Sequence, residues 1–505
     1  MSRLSKNIVY NALGQVLLLV LSFVAVKYVF RRLGSDALGI IYFTQTMSAV
    51  LLAVLEMGVG STTVREVSSH FRDEPDYIHH FIRTGSFLFW CAYAVLALAI
   101  YALAPVLIHH WVHLQGLDAS TATCVLRILG ISSISILPRA FYASILRGLQ
   151  RFEFTNLIDV VSSGLQQFGT IVVLILGGGL LDIAWWYAVC YALSILAYLG
   201  TSGRLASWSA LAPGFSYAVV KRNFAYASRM ASTSLTATVH TQADRVLVSK
   251  LLPLSTFGYY AIAAGAASKG SLLTGAIAQA AFPNFSELFK RGNRDALASQ
   301  YRKLQDLICF GTVPIFAAIL FAAPPLFSYV LNAEAARMLL WPLTFLCLGY
   351  YMNGTLHAPY IFSLAVGKPG IAARSNFYAV FAVLPVTLAL VYFFGLNGAG
   401  FSWVFYHLFA YAYQARRTCW ECLEMPFGVW CFHILKVLTL AATTYGMAWT
   451  SVHSVNANSI LSLVLAYAGA SIAFLVGAYW MMGDELRDSL LHTFQTLRLK
   501  LAEAL

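Results

Sequence analysis

The stretch Arg31-Arg-Leu-Gly-Ser-Asp-Ala-Leu-Gly39-Ile-Ile-Tyr42 has a counterpart further along the chain, Lys250-Leu-Leu-Pro-Leu-Ser-Thr-Phe-Gly258-Tyr-Tyr260. With Arg31 set on Lys250, both read a basic residue, a Leu two positions on, a turn residue (Gly34 or Pro253), and a Gly ahead of bulky side chains. Each joins two apolar runs long enough to span a bilayer, which takes about 20 residues. Working outward from them, the chain divides into fourteen such runs, at 7–30, 40–60, 84–108, 122–146, 155–178, 183–201, 228–250, 256–282, 304–331, 338–366, 377–394, 398–415, 430–449 and 460–482. Six runs separate the two copies, so both face the same way. That makes a parallel repeat about an axis along the membrane normal.

Composition agrees. Of 505 residues, 59% are hydrophobic and only 11% are charged, against roughly 45–50% and 25% in a soluble domain. So few charges cannot cover a water-exposed surface, and a soluble enzyme is excluded. The net charge of +12 comes from basic residues in short loops between apolar runs, not from a basic domain, so nucleic acid is not an expected partner. Placing the amino terminus inside puts 23 of the 33 Lys and Arg residues on the cytoplasmic side; four, Arg31, Arg32, Lys250 and Arg337, fall outside. This bias follows the positive-inside rule and supports an even number of spans with both termini cytoplasmic. The first apolar run spans and lacks a cleavage site, so no cleavable signal peptide is expected. The eight cysteines mostly stand alone, without a disulfide framework. Outer loops are too short for the large catalytic loop of a glycan polymerase or ligase. No phosphate-cradling G-x-x-x-x-G-K-[ST] occurs, so gradients or downhill flow must drive any transport.

Four further stretches carry a family resemblance. Glu56-Met-Gly-Val-Gly-Ser-Thr-Thr-Val-Arg-Glu66 resembles the end of the second helix of polysaccharide transporters. Arg147-Gly-Leu-Gln-Arg-Phe-Glu153 resembles their fourth-to-fifth loop, and Asp244-Arg-Val-Leu-Val-Ser-Lys250 with Gly258-Tyr-Tyr260 their seventh-to-eighth turn. Pro283-Asn-Phe-Ser-Glu287 resembles the end of their eighth helix. As an ordered set these resemble the oligosaccharide-lipid flippase branch, Wzx-type O-antigen flippases and relatives, of the multidrug/oligosaccharidyl-lipid/polysaccharide exporter superfamily. Glu56 stands where an Asp is common in that branch.

The resemblance implies an all-α integral membrane protein with two six-helix lobes around a central cavity and two additional helices. The expected division is 1–203, a cytoplasmic linker at 204–229, 230–417, and 418–505. It also implies alternating access in a bacterial inner membrane. The substrate would be an undecaprenyl-diphosphate-linked oligosaccharide for O-antigen lipopolysaccharide or another surface polysaccharide. Partners would be this lipid, the bilayer, and a polysaccharide polymerase with its chain-length machinery; no cofactor, metal or catalytic residue is expected.

An ionised side chain inside a span costs about 2.5–3.5 kcal/mol on insertion scales and marks function by default. Lys269 is the deepest, near the middle of the eighth run. Arg139 follows Pro138 in the fourth and could instead bond carbonyls that the proline frees. Glu56 lies in the inner third of the second. Arg127, Arg245 and Lys27 lie nearer the outside, and Arg31 stands one turn beyond Lys27. Each of these could hold the diphosphate or glycan, or simply neutralise a neighbour or snorkel to the interface. Thr233, Thr236, His240 and Asp244 share one helix face, and His240 with Asp244, or Glu56, is a candidate for proton coupling. A hydrogen-bonded helix contact explains that stripe equally well. Cys419-Trp-Glu-Cys422 lacks the second half of a zinc motif and is read as structural.

The reading is a lipid-linked oligosaccharide flippase. A drug or cation antiporter of the same superfamily is the alternative, disfavoured because cations outnumber acids within the spans. The topology is directly testable. A cysteine at Asn397 should react with an impermeant thiol reagent from outside intact cells and one at Asn293 should not; labelling at Asn293 overturns the orientation.

Overall fold

The computed structural model describes residues 3–55, 59–454, 459–491 and 495. They are helical throughout, with no strand among them and one isolated bridge between His113 and Pro253. The helices are α1 (Arg3–Leu33), α2 (Ser35–Leu55), α3 (Val59–His70), α4 (Pro75–His110), α5 (Ala119–Ser133), α6 (Ile136–Gly148), α7 (Phe152–Ile175), α8 (Leu180–Ala206), α9 (Trp208–Leu211), α10 (Tyr217–Leu251) and α11 (Leu254–Lys269). They continue as α12 (Leu272–Lys290), α13 (Arg294–Val330), α14 (Ala333–Ala365), α15 (Gly370–Ala410), α16 (Arg416–Glu421), α17 (Phe427–Ala441), α18 (Met447–Ser454) and α19 (Ile460–Met481). Single π-helical turns, Tyr411–Ala415 and Ala442–Gly446, join α15 to α16 and α17 to α18.

These helices follow the fourteen apolar runs in order. Eight stretches among the described residues are long and apolar enough to cross a membrane, and one of them, Gly370–Glu421, turns back at Gly395 (φ +56°) and supplies two runs. The remaining five runs correspond to α1, α2 with α3, α10, α11 with α12, and α14.

Several runs are broken where the sequence suggests continuity. The fourth divides into α5 and α6 because Pro138 has no N–H for the Ile134 carbonyl. The N–H of Leu137 takes that carbonyl instead, at 3.0 Å. The eighth divides at Gly270 and Ser271, directly after Lys269. Gly270 packs there against Phe316, whose ring would stand 2.4 Å from any added Cβ.

The chain packs as two compact units, Met1–Ala261 and Ile262–Leu505. In the first, α1 lies along α7, α7 along α8, α5 along α8 and α2 along α10. Its core includes Ile82, Phe89, Phe141, Tyr142, Ile145 and Tyr198. Phe141 stacks on Phe89 at 5.2 Å, in space left by Gly85. At one end of this unit the two repeated stretches meet. A Cβ on Gly258 would stand 2.9 Å from the Gly39 nitrogen, and one on Gly39 would overlap the Leu254 carbonyl at 2.2 Å. Small residues allow such close helix approach in membranes. Asp36 secures the neighbouring loop, its Oδ2 accepting the backbone N–H groups of Gln115, Gly116 and Leu117 at 3.2, 2.5 and 3.2 Å. The Leu254 N–H donates to the His113 carbonyl at 3.0 Å.

In the second unit α14 packs between α13 and α15. Phe285 and Tyr301 close on Phe362 at 5.5 and 5.3 Å. Buried Asp306 of α13 fastens the last two spans: it lies 3.0 Å from His433 Nε2 of α17 and accepts the Gly483 N–H, just past α19, at 2.7 Å. Lys436 Nζ donates to the Met481 carbonyl at 2.6 Å.

The Gly39–Gly258 approach predicts a sharp contrast. Gly39→Ala should destabilise the purified protein by about 1–3 kcal/mol, the usual cost of overpacking. Gly265→Ala, with nothing within 4 Å of the added methyl, should be neutral or slightly stabilising. Thermal unfolding of both in detergent checks this; equal melting of Gly39→Ala and parent refutes the contact.

Candidate functional site

Two antiparallel helices of the first unit carry matching polar periods. On α7, Thr155, Asp159, Ser162, Gln166 and Thr170 recur at steps of 4, 3, 4 and 4; on α8, Tyr187, Tyr191, Ser194, Tyr198 and Ser202 do the same. Such steps keep each set on one helix face. The two faces bond to each other as a ladder. Tyr187 reaches Thr170 and Tyr191 reaches Gln166. The Tyr198 hydroxyl lies 2.7 Å from Asp159 Oδ1 and 3.3 Å from the Thr155 carbonyl. At about 1.5 Å per residue the ladder climbs roughly 22 Å, most of a hydrocarbon core.

Arg139 of α6 completes the ladder at its Thr155 end. Its guanidinium donates to Asp159 Oδ1 at 2.5 Å and stands 5.5 Å from the centre of the Tyr198 ring. Asp159 keeps 42% of its side-chain surface open, Arg139 20%. Since Leu137 satisfies the carbonyl freed by Pro138, Arg139 answers to Asp159 instead.

The other expected positions separate. Arg127 donates to the Tyr101 carbonyl at 3.0 Å and stacks 4.3 Å over that ring, joining α5 to α4. Lys27 is half-buried on α1, while exposed Arg31 sits in the last turn, where a cation complements the helix dipole. His240 and Asp244 are both buried on α10, and Asp244 Oδ2 accepts from the Tyr260 hydroxyl at 2.6 Å. Arg245 beside it is half-buried. Lys269 is exposed as the last residue of α11, at the break before α12. Glu56 and the Thr233 side chain lie outside the described residues.

The sequence reading missed Asp159 and its tyrosine partners. Tyrosine counts as apolar in composition, so α8 reads as a plain span; only the shared 4-3-4-4 spacing could have exposed the ladder. It also missed buried Glu66, at the inner end of α3. Glu66 bonds Arg65 and accepts from Tyr77 at 3.0 Å, while Asn223 of α10 donates to Tyr77 at 2.8 Å. Alongside, Arg222 of α10 donates to Glu74 at 2.9 Å, which holds the Glu74 carboxyl below its ordinary range.

An apolar cleft of about 460 Å³ opens in the second unit between α13, α14 and the α17–α18 span. Phe316, Phe321, Trp341, Tyr351, Tyr445 and Trp449 line it. No group of three or more His, Cys, Asp or Glu suited to a metal occurs among the described residues.

Solved structures share this architecture. The lipid II flippase MurJ, in an inward closed conformation, superposes with a TM-score of 0.68 at 12% identity, over 93% of this chain and 98% of that one. An inward-facing multidrug resistance MATE transporter of the MOP superfamily gives 0.64 at 14%, over 79% and 94%. A MOP superfamily transporter from Pyrococcus furiosus gives 0.55 at 14%, over 81% and 92%. No curated protein matches the sequence. The family described as polysaccharide biosynthesis protein matches residues 29–336, more than half of the chain. The chain therefore belongs to the polysaccharide biosynthesis protein family, on the fold of the MOP superfamily of flippases and transporters.

Proposed function

We propose that this protein is a flippase carrying an undecaprenyl-diphosphate-linked oligosaccharide, a repeat unit of O-antigen or another surface polysaccharide, from the cytoplasmic to the outer leaflet by alternating access. The observation that carries this reading is the position of Lys269. Membrane transporters commonly place their substrate sites at helices broken in mid-span, and Lys269 puts a cation at such a break. The exposed ammonium there suits a diphosphate, because a compact charge on a flexible stem follows a moving phosphate.

Two further features support it. The apolar cleft beside the last two spans suits a polyprenyl chain, and family membership supports a glycan cargo. A cation antiporter would need acids free to meet its substrate. Asp159 is instead neutralised by Arg139, and Asp244 is buried against Tyr260. The lobes would comprise 1–203 and 230–417, joined by 204–229, with 418–505 added. Lys27, Arg31 and Arg245 would serve the anion's path toward the outside, whereas Arg127 is held by Tyr101. In a bacterial inner membrane with cytoplasmic termini, the inside-negative potential favours outward movement of an anion by about 2.3 kcal/mol per charge per 100 mV.

Lys269→Ala should abolish glycan export at matched expression, while Lys269→Arg should retain part of it, since charge matters more here than fork geometry. Normal export by Lys269→Ala returns this lysine to a structural role at the end of α11. If His240 and Asp244 relay protons, Asp244→Asn and Tyr260→Phe should both weaken the response of transport to a pH gradient. A response identical to the parent's removes them from coupling.

A further inference from the structure

We propose that the Arg139–Asp159–Tyr198 cluster is a sugar-reading subsite, which meets a neutral residue of the glycan and takes no part in holding the diphosphate. The inference rests on the flippase reading above and deepens it.

Charge comes first. The guanidinium and carboxylate sit 2.5 Å apart and cancel. A diphosphate approaching this pair gains little from Arg139 and is repelled by Asp159. Arg139 was a candidate diphosphate ligand by its sequence position alone, and its partner removes the reason.

Access comes second. Asp159 is the eighth residue of α7, about 11 Å along the helix from its inner end. Arg139 stands nine residues before the inner end of α6. A carboxylate open over 42% of its side-chain surface at that depth is not tolerated against hydrocarbon, where even a paired charge is costly. This face of the first unit therefore borders a water-filled space.

Chemistry comes third. Asp159 Oδ1 takes both internal bonds, from Arg139 and from Tyr198, and Oδ2 takes none among the described residues. A carboxylate oxygen accepts from hydroxyls, and the remaining guanidinium N–H groups donate to hydroxyl or ring oxygens. A held acceptor beside a held donor, with no net charge, matches two neighbouring hydroxyls of a sugar. Farther up the ladder, Gln166 places an amide donor next to Tyr191. A second sugar could use that donor. Interhelical glue alone accounts for Tyr187 with Thr170, but not for an open carboxylate oxygen.

The test uses the full-length protein in nanodiscs and two probes: undecaprenyl diphosphate, and the same lipid bearing a neutral trihexose. Hydrogen bonds to charged groups are each worth enough to change affinity about tenfold or more. Asp159→Asn should weaken binding of the sugar-bearing lipid about tenfold, leaving the bare lipid unchanged or tighter. Tyr198→Phe, which keeps the ring, should show the same selectivity with a smaller loss, and covers the case where Asp159→Asn does not fold. Lys269→Ala should weaken both probes. Equal losses for both probes, or no loss for either, in the Asp159 and Tyr198 variants overturns the subsite and leaves the flippase reading standing. A parent protein that binds neither probe overturns both.

Discussion

Hydrocarbon offers a polar side chain no hydrogen-bond partner, so each one inside the bilayer must find its partner in the protein or face water. That constraint organises this structure. Arg127 is used up by Tyr101, Asp306 by His433 and the Gly483 amide, and Lys436 by the Met481 carbonyl. Such pairings hold helices together and leave nothing for cargo. Lys269 at the α11 break and Asp159 on α7 keep open polar surface, as the proposed cargo sites require.

The same rule separates two kinds of charge that a sequence shows as one. Arg139 and Lys269 both lie deep in apolar runs and carry the same sign. Arg139 has a carboxylate on a neighbouring helix, twenty residues on. Lys269 ends a half-helix, where its ammonium complements the dipole of α11 and stays exposed. One is a neutral hydrogen-bonded pair and the other a cation, which is the ground for proposing the first for sugar and the second for phosphate.

Much of the fold was legible beforehand. Hydrophobic length sets the spans, and the Gly39 and Gly258 stretches, matched in sequence, come together in space glycine against glycine. The break after Lys269 was not legible from hydrophobic length, which reads straight through it; in the structure Gly270 lies there against Phe316, a residue far along the chain. The Arg139–Asp159 pair was hidden for the same reason: a period along one helix shows which residues share a face, not which neighbour that face meets. Fastening of the last two spans through Asp306 likewise required knowing that α13, α17 and the end of α19 converge.

The central claim is that the chain moves a lipid-linked glycan across the bilayer. Purified protein reconstituted into vesicles containing a trace of undecaprenyl-diphosphate oligosaccharide, fluorescently labelled on its glycan, tests it most directly. A membrane-impermeant quencher added outside then reports which leaflet holds the label. If the account is right, protein-containing vesicles expose the inner-leaflet pool to the quencher over time, and vesicles carrying Lys269→Ala do not. Quenching that stops at the outer-leaflet pool, as in protein-free vesicles, contradicts it.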